Sequence, residues 1–299
     1  MKKKLTALFL AVVMCMTISV PAFSVDSVEK LISNVPILEA ESVCTNEYDY
    51  IVTVRRAFKS ESNLLNISNE EFSYINSGAI EAELLHRASL PDDILSNHYC
   101  YTAKDIEILR EYDGSPLEEN PQMRSVTATL TATLTPLVKT TTRIGLLYSW
   151  RWDVQPLNRY SDIVAMVWEG TYEDGRNNNM RLDMDNSFAN IQYFATSEDQ
   201  QGITLDVETN SQYHGGFVEF PMGRYFGPYH WAKSGGLYLY ADLVNTTSGP
   251  ELYELSAHGE YGHYMTDIGI GVDLSAGSLA ISFDGTLTTC GSKNIVINP

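Results

Sequence analysis

Apolar and polar residues alternate strictly in the segment Ser125 to Pro136, which reads SVTATLTATLTP. From Val126 to Leu134 every second residue is apolar, and threonine fills each position between them. Because successive side chains of a β-strand point to opposite faces, this pattern predicts a strand with one apolar and one polar face. We expect the apolar set to be buried and the threonine set to be more exposed: Val126, Leu130 and Leu134 against Thr127, Thr129 and Thr131.

The segment 140–152 keeps the same period and predicts a second strand. Pro136 to Lys139 lie between the two strands and are predicted to close them into a hairpin. One face of the second strand is mostly large and apolar: Thr142, Ile144, Leu146, Tyr148, Trp150 and Trp152. We therefore expect residues 140–152 to pair antiparallel with the first strand, with this face buried.

Two kinds of protein use such a hairpin. A run of about ten residues is long enough to cross a bilayer as a strand. In its threonine content and lack of charge this hairpin resembles the insertion hairpins of β-pore-forming toxins. The same alternation is also typical of a sheet with one face toward water, and threonine favours strands without a membrane. We favour the wall of a sandwich, with a pore-forming role for residues 125–152 as the alternative.

The period of two continues to the end of the chain. Turn clusters such as EDGRNNN, NTTSGP and SAG separate the strand-like runs, and no helical pattern lies among them. This spacing predicts a mainly β protein whose residues 125–299 form an antiparallel β-sandwich or jelly-roll-like domain. The predicted strands are 126–135, 140–152, 161–169, 190–196, 203–208, 216–221, 236–243, 252–259, 266–273, 278–286 and 293–297.

Residues 25–112 have a mainly helical pattern. Ser68 precedes Glu71 by three positions, which is typical of a capping box and predicts a helix to about Leu85. Thr102 starts a shorter helix with one apolar face, formed by Ile106, Leu109 and Tyr112. These helices predict a small, mainly helical N-terminal region in front of the β-domain.

One segment of this region breaks the helical pattern. Glu47 to Phe58, EYDYIVTVRRAF, is rich in Tyr, Ile and Val and predicts a strand. After the last helix, the turn residues DGSP and Pro121 indicate a linker over 113–124. A chain that begins at about residue 123 is therefore expected to fold alone.

The first residues predict export. Met1 to Lys4 is cationic, the run 5–20 is apolar, and Ala22 and Ser24 are small residues at the spacing that signal peptidase reads. The apolar run is shorter than the about 20 residues that a spanning helix needs. We therefore interpret 1–24 as a signal peptide and expect a secreted, extracellular protein without a stable membrane span.

The charge of the chain excludes one class of partner. The whole chain has 38 acidic and 20 basic residues, and loss of the three leader lysines leaves 38 against 17, a formal −21. Such a charge repels nucleic acid, so no nucleic-acid partner is expected. A hydrophobic content of 44% and an aromatic content of 11% are too high for a disordered acidic chain and predict a folded one.

Three cysteines remain after the leader: Cys44, Cys100 and Cys290. An odd number leaves one thiol unpaired in any arrangement, which argues against a disulfide framework. Cys44 and Cys100 lie in the same half of the chain and are the pair expected to form a single bridge. The alternative is that all three are free, small apolar residues.

The most aromatic segment is Gly223 to Gly236, GRYFGPYHWAKSGG. Aromatic residues on a loop rich in glycine and proline can present flat apolar faces to sugars or to a protein partner. The predicted ligand-binding residues are Tyr225, Phe226, Tyr229, His230 and Trp231. The alternative is that these rings close the end of the sandwich and are buried.

Two segments suggest metal sites, although no cofactor is required by the sequence. His258 and Glu260 would share one face of a strand, and His263 would complete a zinc site by folding back past the glycines. Asp183 and Asp185 follow a loop at alternate positions and suggest calcium. For both segments the alternative is a polar strand end without metal.

Catalytic motifs are weak. The nucleophile elbow GxSxG is absent from the sequence. A glycosidase needs only two facing carboxylates, for which the candidates are Glu169, Glu173, Glu208, Glu219 and Glu260. Cys290 and His263 are the candidate thiol–imidazole pair. An enzymatic activity is left open, and the balance is against one.

The segment YTAKDIEILREYDGS, followed by a threonine-rich β-domain, is similar to secreted proteins of Gram-positive bacteria that have no characterised function. The resemblance extends over the chain after the leader and implies no catalytic residue. Together these features predict a secreted binding protein with a glycan or protein ligand. The alternatives are a β-pore former that uses residues 125–152 and a secreted hydrolase with a carboxylate pair, and the oligomeric state is open.

Overall fold

The computed structural model describes most of the chain after residue 41. The described ranges are 42–60, 78–157, 160–176, 180–209, 214–244, 251–263, 272–274, 281–283 and 288–297. The predicted signal peptide at 1–24 and the predicted helix start at Ser68 lie outside these ranges.

In the described part of the chain, four α-helices precede the β-rich part: α1 (Glu47–Ser60), α2 (Ala79–Ala88), α3 (Asp92–Asn97) and α4 (Ala103–Arg110), followed by two 3-10 turns (Leu117–Glu119 and Pro121–Ser125). Helix α4 begins with the predicted cap. Thr102 accepts a hydrogen bond from the backbone N–H of Asp105, and the Asp105 carboxylate accepts one from that of Thr102. No helix among the described residues has the length and apolar character needed to cross a membrane.

The segment predicted as a strand at Glu47 to Phe58 is helix α1, so this prediction was wrong. The side chains of Tyr48, Ile51, Val52 and Arg55 are buried, and they recur at the spacing of one helical face. Asn46 caps the helix, since its Oδ1 accepts a hydrogen bond from the Tyr48 N–H at 2.9 Å. The helical spacing and the cap outweigh the β-propensity of the individual residues.

The strands form antiparallel sheets, which confirms the predicted mainly β fold with a small helical part. They are β1 (Ser42–Asn46), β2 (Thr129–Lys139), β3 (Arg143–Trp152), β4 (Ser161–Thr171), β5 (Met180–Leu182), β6 (Phe188–Thr196), β7 (Asp199–Asp206), β8 (Gly215–Pro221), β9 (Gly223–Tyr225), β10 (Tyr229–Leu243), β11 (Glu254–His263), β12 (Val272–Leu274), β13 (Ile281–Phe283) and β14 (Thr288–Ile297). The first sheet has the order β1-β2-β3-β10-β6-β7, with β5 and β9 also paired to β10. The second has the order β14-β11-β4-β8, and β12 pairs with β13.

Large aromatic side chains fill the space between the two main sheets. Trp150 on β3 stacks on Phe220 of β8, with ring centroids 5.4 Å apart. Trp152 donates a hydrogen bond from Nε1 to the hydroxyl of Tyr261 on β11, 3.1 Å away. All four side chains are buried, so the apolar face predicted for residues 140–152 lies in the core of a sandwich.

The alternating segment enters β2 at Thr129, three residues later than the predicted start at 126, and its side chains have the predicted orientation with one exception. Its apolar residues Val126, Leu130 and Leu134 are buried, and Thr131 is exposed. Thr127, which was expected to be exposed, is buried because its hydroxyl lies 2.9 Å from Asn46 Oδ1, where β1 meets the helical region. The polar side chain thus has a partner inside the protein.

The hairpin between β2 and β3 is longer than predicted. Its antiparallel register is the expected one, with Leu134 opposite Tyr148, but β2 continues through Pro136 to Lys139. A break in register after Pro136 accommodates the missing N–H of the proline. The turn therefore lies at 140–142 rather than at 136–139.

Strand β1 was not predicted, and it joins the helical region to the first sheet. It pairs with β2, with Val43 opposite Ala132. Residues Leu38–Pro299 form one compact unit, and the predicted linker at 113–124 lies inside it. The division of the chain at this linker stays a prediction.

Candidate binding site

The aromatic segment forms a β-hairpin rather than the predicted loop. Strand β9 pairs with the start of β10, with Tyr225 opposite Tyr229 and Arg224 opposite His230. The turn contains Gly227, whose φ of 116° lies in the region that favours glycine. We call residues 223–231 the aromatic hairpin. Its backbone pairing holds the aromatic rings in fixed positions.

The five predicted ligand-binding residues divide into exposed and buried members. Tyr225 is 80% exposed and Phe226 is 40% exposed, whereas Tyr229 is half-buried. His230 and Trp231 are completely buried. Only the first two residues therefore present their rings to solvent, and the buried pair supports the hairpin from beneath.

Ring contacts hold the two exposed aromatic residues. The Tyr225 ring meets Tyr229 edge to face, with centroids 5.4 Å apart. Phe226 makes similar contacts with Tyr193 at 5.6 Å and with His230 at 5.2 Å. Tyr193 is itself fixed, because its hydroxyl donates a hydrogen bond to the Pro221 carbonyl at 2.7 Å, and burial raises its pKa. The exposed rings are thus supported by a rigid buried layer.

A carboxylate lies beside the hairpin. The His230 Nε2 is 3.0 Å from Asp199 Oδ1, and its Nδ1 is 3.0 Å from the carbonyl oxygen of Pro228. The bond from His230, followed by one from Gln201, lowers the pKa of Asp199. Its Oδ2 accepts no hydrogen bond from the described part of the chain.

An arginine completes this surface. The exposed Arg224 guanidinium lies 5.9 Å from the ring centroid of Tyr193 and 6.0 Å from that of Phe226. Neither Arg224 nor Asp199 was predicted as a site residue. Arg224 lies within the aromatic segment, and nothing in the sequence connects Asp199 to His230, 31 positions away.

Two of the three residues of the predicted zinc site are in contact, and the third lies on the opposite face of the strand. His258 Nε2 lies 3.3 Å from Glu260 Oε2, as expected for neighbours on one strand face. His263 is an odd number of positions from both and lies on the other face, where its ring is 5.1 Å from that of Trp152. Among the described residues, no three His, Cys, Asp or Glu side chains are grouped so that they could hold a metal ion.

The two residues of the predicted calcium site, Asp183 and Asp185, lie in surroundings that differ from each other. Asp183 is an ion-pair partner of Arg143 at 2.9 Å and accepts a hydrogen bond from the Asn186 side chain at 2.7 Å. Burial would raise the pKa of Asp183, but these bonds to Asn186 and Arg143 lower it. Asp185 is exposed. The Asp183 carboxylate thus orders a turn between β5 and β6.

A buried cluster of charged residues was not predicted. His263 Nδ1 lies 2.9 Å from Asp162 Oδ1, and its Nε2 lies 3.4 Å from Glu47 Oε1. Tyr261 donates a hydrogen bond to Asp162 at 2.5 Å, and Glu47 accepts from the Leu157 N–H at 3.0 Å. Burial would lower the pKa of His263, but the carboxylates raise it to about 10. The cluster joins the start of α1 to β4 and β11.

The predicted bridge between Cys44 and Cys100 is not formed, since both thiols are free. Cys44 Sγ lies 3.5 Å from the Thr131 hydroxyl, and Cys100 Sγ lies 3.0 Å from Lys233 Nζ. Cys44 borders a surface pocket of about 570 Å³, whose lining includes the exposed ion pair Asp49–Arg124. The structure does not describe the side chain of Cys290.

Comparisons with known proteins give little information. No protein-family model matches the chain, and no curated protein matches it. Among solved structures, a chain described as "AvmM Catalyzes Macrocyclization in Alchivemycin A Biosynthesis" is similar over 56% of this chain and 89% of its own, with 9% identity and a TM-score of 0.21. A TM-score this low establishes neither a shared fold nor a shared function.

Proposed function

We propose that the protein is a secreted binding protein whose ligand is a glycan and whose contact surface is the aromatic hairpin. The observation that carries this proposal is the exposure of Tyr225, 80%, on a hairpin whose supporting residues are buried. A protein that folds alone gains stability by burying aromatic rings. An exposed ring forgoes this stability, so its exposure points to a contact outside the chain. Because the Tyr225 ring is already held in position, little conformational entropy is lost when it binds a ligand.

The polar groups beside the rings favour a sugar. A tyrosine or phenylalanine face stacks on the C–H face of a pyranose, and sugar hydroxyls then need partners at the edge of the ring. Asp199 supplies a carboxylate acceptor oriented by His230, and Arg224 supplies guanidinium donors. Within the aromatic hairpin the exposed large apolar side chains are Tyr225 and Phe226, and two rings are far smaller than the about 800 Å² that each partner contributes to a stable protein interface.

The two alternative functions have less support. A pore-forming role for residues 125–152 would require Tyr148, Trp150 and Trp152 to leave the core, where each is at most 2% exposed. A hydrolase needs two carboxylates that face a substrate. Glu47 and Asp162 lie on either side of the His263 ring, but both are buried and each contacts the imidazole.

Titration of the purified protein with a panel of soluble oligosaccharides, followed by calorimetry, tests the proposal. Tyr225→Ala and Phe226→Ala should each weaken binding about tenfold or more, with a loss of stability below about 1 kcal/mol. Tyr253→Ala is the matched control. Tyr253 is 58% exposed, and its N–H bonds to Thr171 at the far end of β4 from the hairpin.

Trp231→Ala serves as the second control, because its buried side chain should cost about 3–5 kcal/mol of stability. Equal affinity of the wild type and Tyr225→Ala for every bound oligosaccharide would contradict the proposed surface. Binding of none of the panel would contradict the glycan class.

A further inference from the structure

A thiol and an amine meet on the outer face of the first sheet. Cys100 Sγ lies 3.0 Å from Lys233 Nζ, and the two residues are 133 positions apart in the chain. Cys100 follows helix α3, and Lys233 belongs to β10. Both residues are half-buried, so the pair is not sealed inside the core.

Two irregular backbone positions produce this contact. Cys100 has a φ of 68° and is the only non-glycine residue with a positive φ in the described ranges. Lys233 lies where the register between β10 and β6 shifts, between Ala232 and Ser234. Such a bulge redirects a side chain relative to its neighbours on the strand. Here it points the amine of Lys233 at the sulfur.

Aromatic rings fix the position of the Lys233 ammonium. Its Nζ lies 4.0 Å from the ring centroid of Phe194 and 5.7 Å from that of Trp231. Trp231 is held in turn, because its Nε1 donates a hydrogen bond to the His98 carbonyl at 2.8 Å. The amine therefore stays beside the sulfur instead of extending into water.

We propose that the pair Cys100–Lys233 is a site of oxidation by hydroperoxides. The Cys100 thiolate attacks one peroxide oxygen, so that an S–O bond forms and the O–O bond breaks. The hydroxide that leaves takes a proton from the Lys233 ammonium and becomes water. The sulfur is oxidised to sulfenic acid, the peroxide is reduced, and Lys233 remains as a neutral amine.

The products of this step can react with each other. A sulfenic acid condenses with a nearby nitrogen to a sulfenamide, with loss of water. At Cys100 the nearby nitrogen is the amine of Lys233, which the first step has just deprotonated. The resulting S–N bond would join the segment after α3 covalently to β10, on the strand that carries Trp231 and the aromatic hairpin. This inference is independent of the proposed glycan ligand.

Mass spectrometry of the full chain treated with hydrogen peroxide tests the proposal. With dimedone present we expect an adduct on Cys100, and without it a peptide pair joined at Cys100 and Lys233 with a mass two hydrogens lower. Lys233→Met should lower the rate of oxidation of Cys100 about tenfold or more, because the proton donor is lost. The rate at Cys44, which is exposed and beside a hydroxyl, should not change.

Lys233→Arg separates proton donation from charge. The arginine keeps the positive charge but does not give up its proton, so Cys100 should be oxidised as slowly as in Lys233→Met. Faster oxidation of Cys44 than of Cys100 in the wild type would overturn the proposal. So would an unchanged rate at Cys100 in both variants, provided that circular dichroism shows that they are folded.

Discussion

His263 and Asp162 form an ion pair in the core, with His263 Nδ1 2.9 Å and 3.0 Å from the two carboxylate oxygens. Glu47 approaches the other ring nitrogen, at 3.4 Å, from the first residue of α1. Both ring nitrogens thus face acceptors, which agrees with a protonated imidazole and with its pKa of about 10. The charged ring connects the helical region to the second sheet.

The stability of the protein should fall as the pH rises from neutral to about 10. The pKa of His263 is raised from 6.5 to about 10 in the folded state. The stabilisation is therefore fully present below pH 6.5, decreases above it, and is lost as the pH rises through the folded-state pKa. Urea unfolding at several pH values measures this slope, and the difference from His263→Gln isolates the contribution of the imidazole. Parallel slopes for the two proteins would contradict the prediction.

Asp162→Asn should destabilise the protein by about 3–5 kcal/mol, because it leaves a buried charged histidine with one carboxylate fewer. Asp49→Asn is the matched control. Asp49 pairs with Arg124 at 2.7 Å, but both side chains are about half exposed or more. Its loss should cost less than about 1 kcal/mol. Equal effects of the two substitutions on the urea midpoint would show that the buried Asp162–His263 pair contributes no more to stability than the exposed Asp49–Arg124 pair.

Leu130→Asp should prevent folding. Leu130 is completely buried, and a carboxyl group in the core must either stay charged without a partner or take up a proton, which in both cases costs a large part of the about 5–15 kcal/mol that stabilises a typical domain. Thr131→Asp introduces the same charge at the next position of β2, on the exposed face, and should change stability by less than about 1 kcal/mol. Circular dichroism and thermal unfolding distinguish the two. A folded Leu130→Asp protein would mean that the register of β2 is wrong.

A chain that begins at residue 123 should not unfold with the cooperativity of the whole protein. The sequence pattern predicts that this fragment folds alone, but the contacts lead to the opposite expectation. The fragment loses β1 and the Glu47 partner of His263. It also loses the buried Arg87, whose guanidinium donates to the carbonyls of Gln155 and Pro156 at 2.7 and 2.8 Å.

A chain that begins at residue 25 is the control for this truncation, because it lacks only the predicted leader. It should unfold in a single transition. If the fragment from residue 123 had the same thermal midpoint, the helical region would contribute nothing to the β-domain.

The sequence predicts the parts of the fold in which one period dominates. The alternation in β2 and β3 fixes their faces because a shift by one residue would expose Leu130 and Trp152. Helix α1 was missed because its β-branched and aromatic residues favour strands individually, while their helical spacing decides the structure. The burial of Thr127 could not be predicted from the alternation either, because it depends on a hydrogen bond to Asn46, which is distant in the sequence.

The chemistry of the sites was harder to predict. The aromatic segment is visible in the sequence, but its division into exposed Tyr225 and buried Trp231 depends on the pairing of β9 with β10. The contact of His263 with Glu47 joins residues 216 positions apart, and local patterns contain no information about such distant partners. The same holds for Cys100 and Lys233.

The position of Glu47 has a consequence for the order in which the chain folds. Glu47 is among the first described residues to be synthesised, and its partner His263 is among the last. The connection between them closes a very long loop, which is slow to form and gives no stability until it is complete. For the exported protein that we propose, this delay is useful. A chain exported in this way would stay unfolded during its transfer across the membrane and would complete its core only after His263 on β11 has followed.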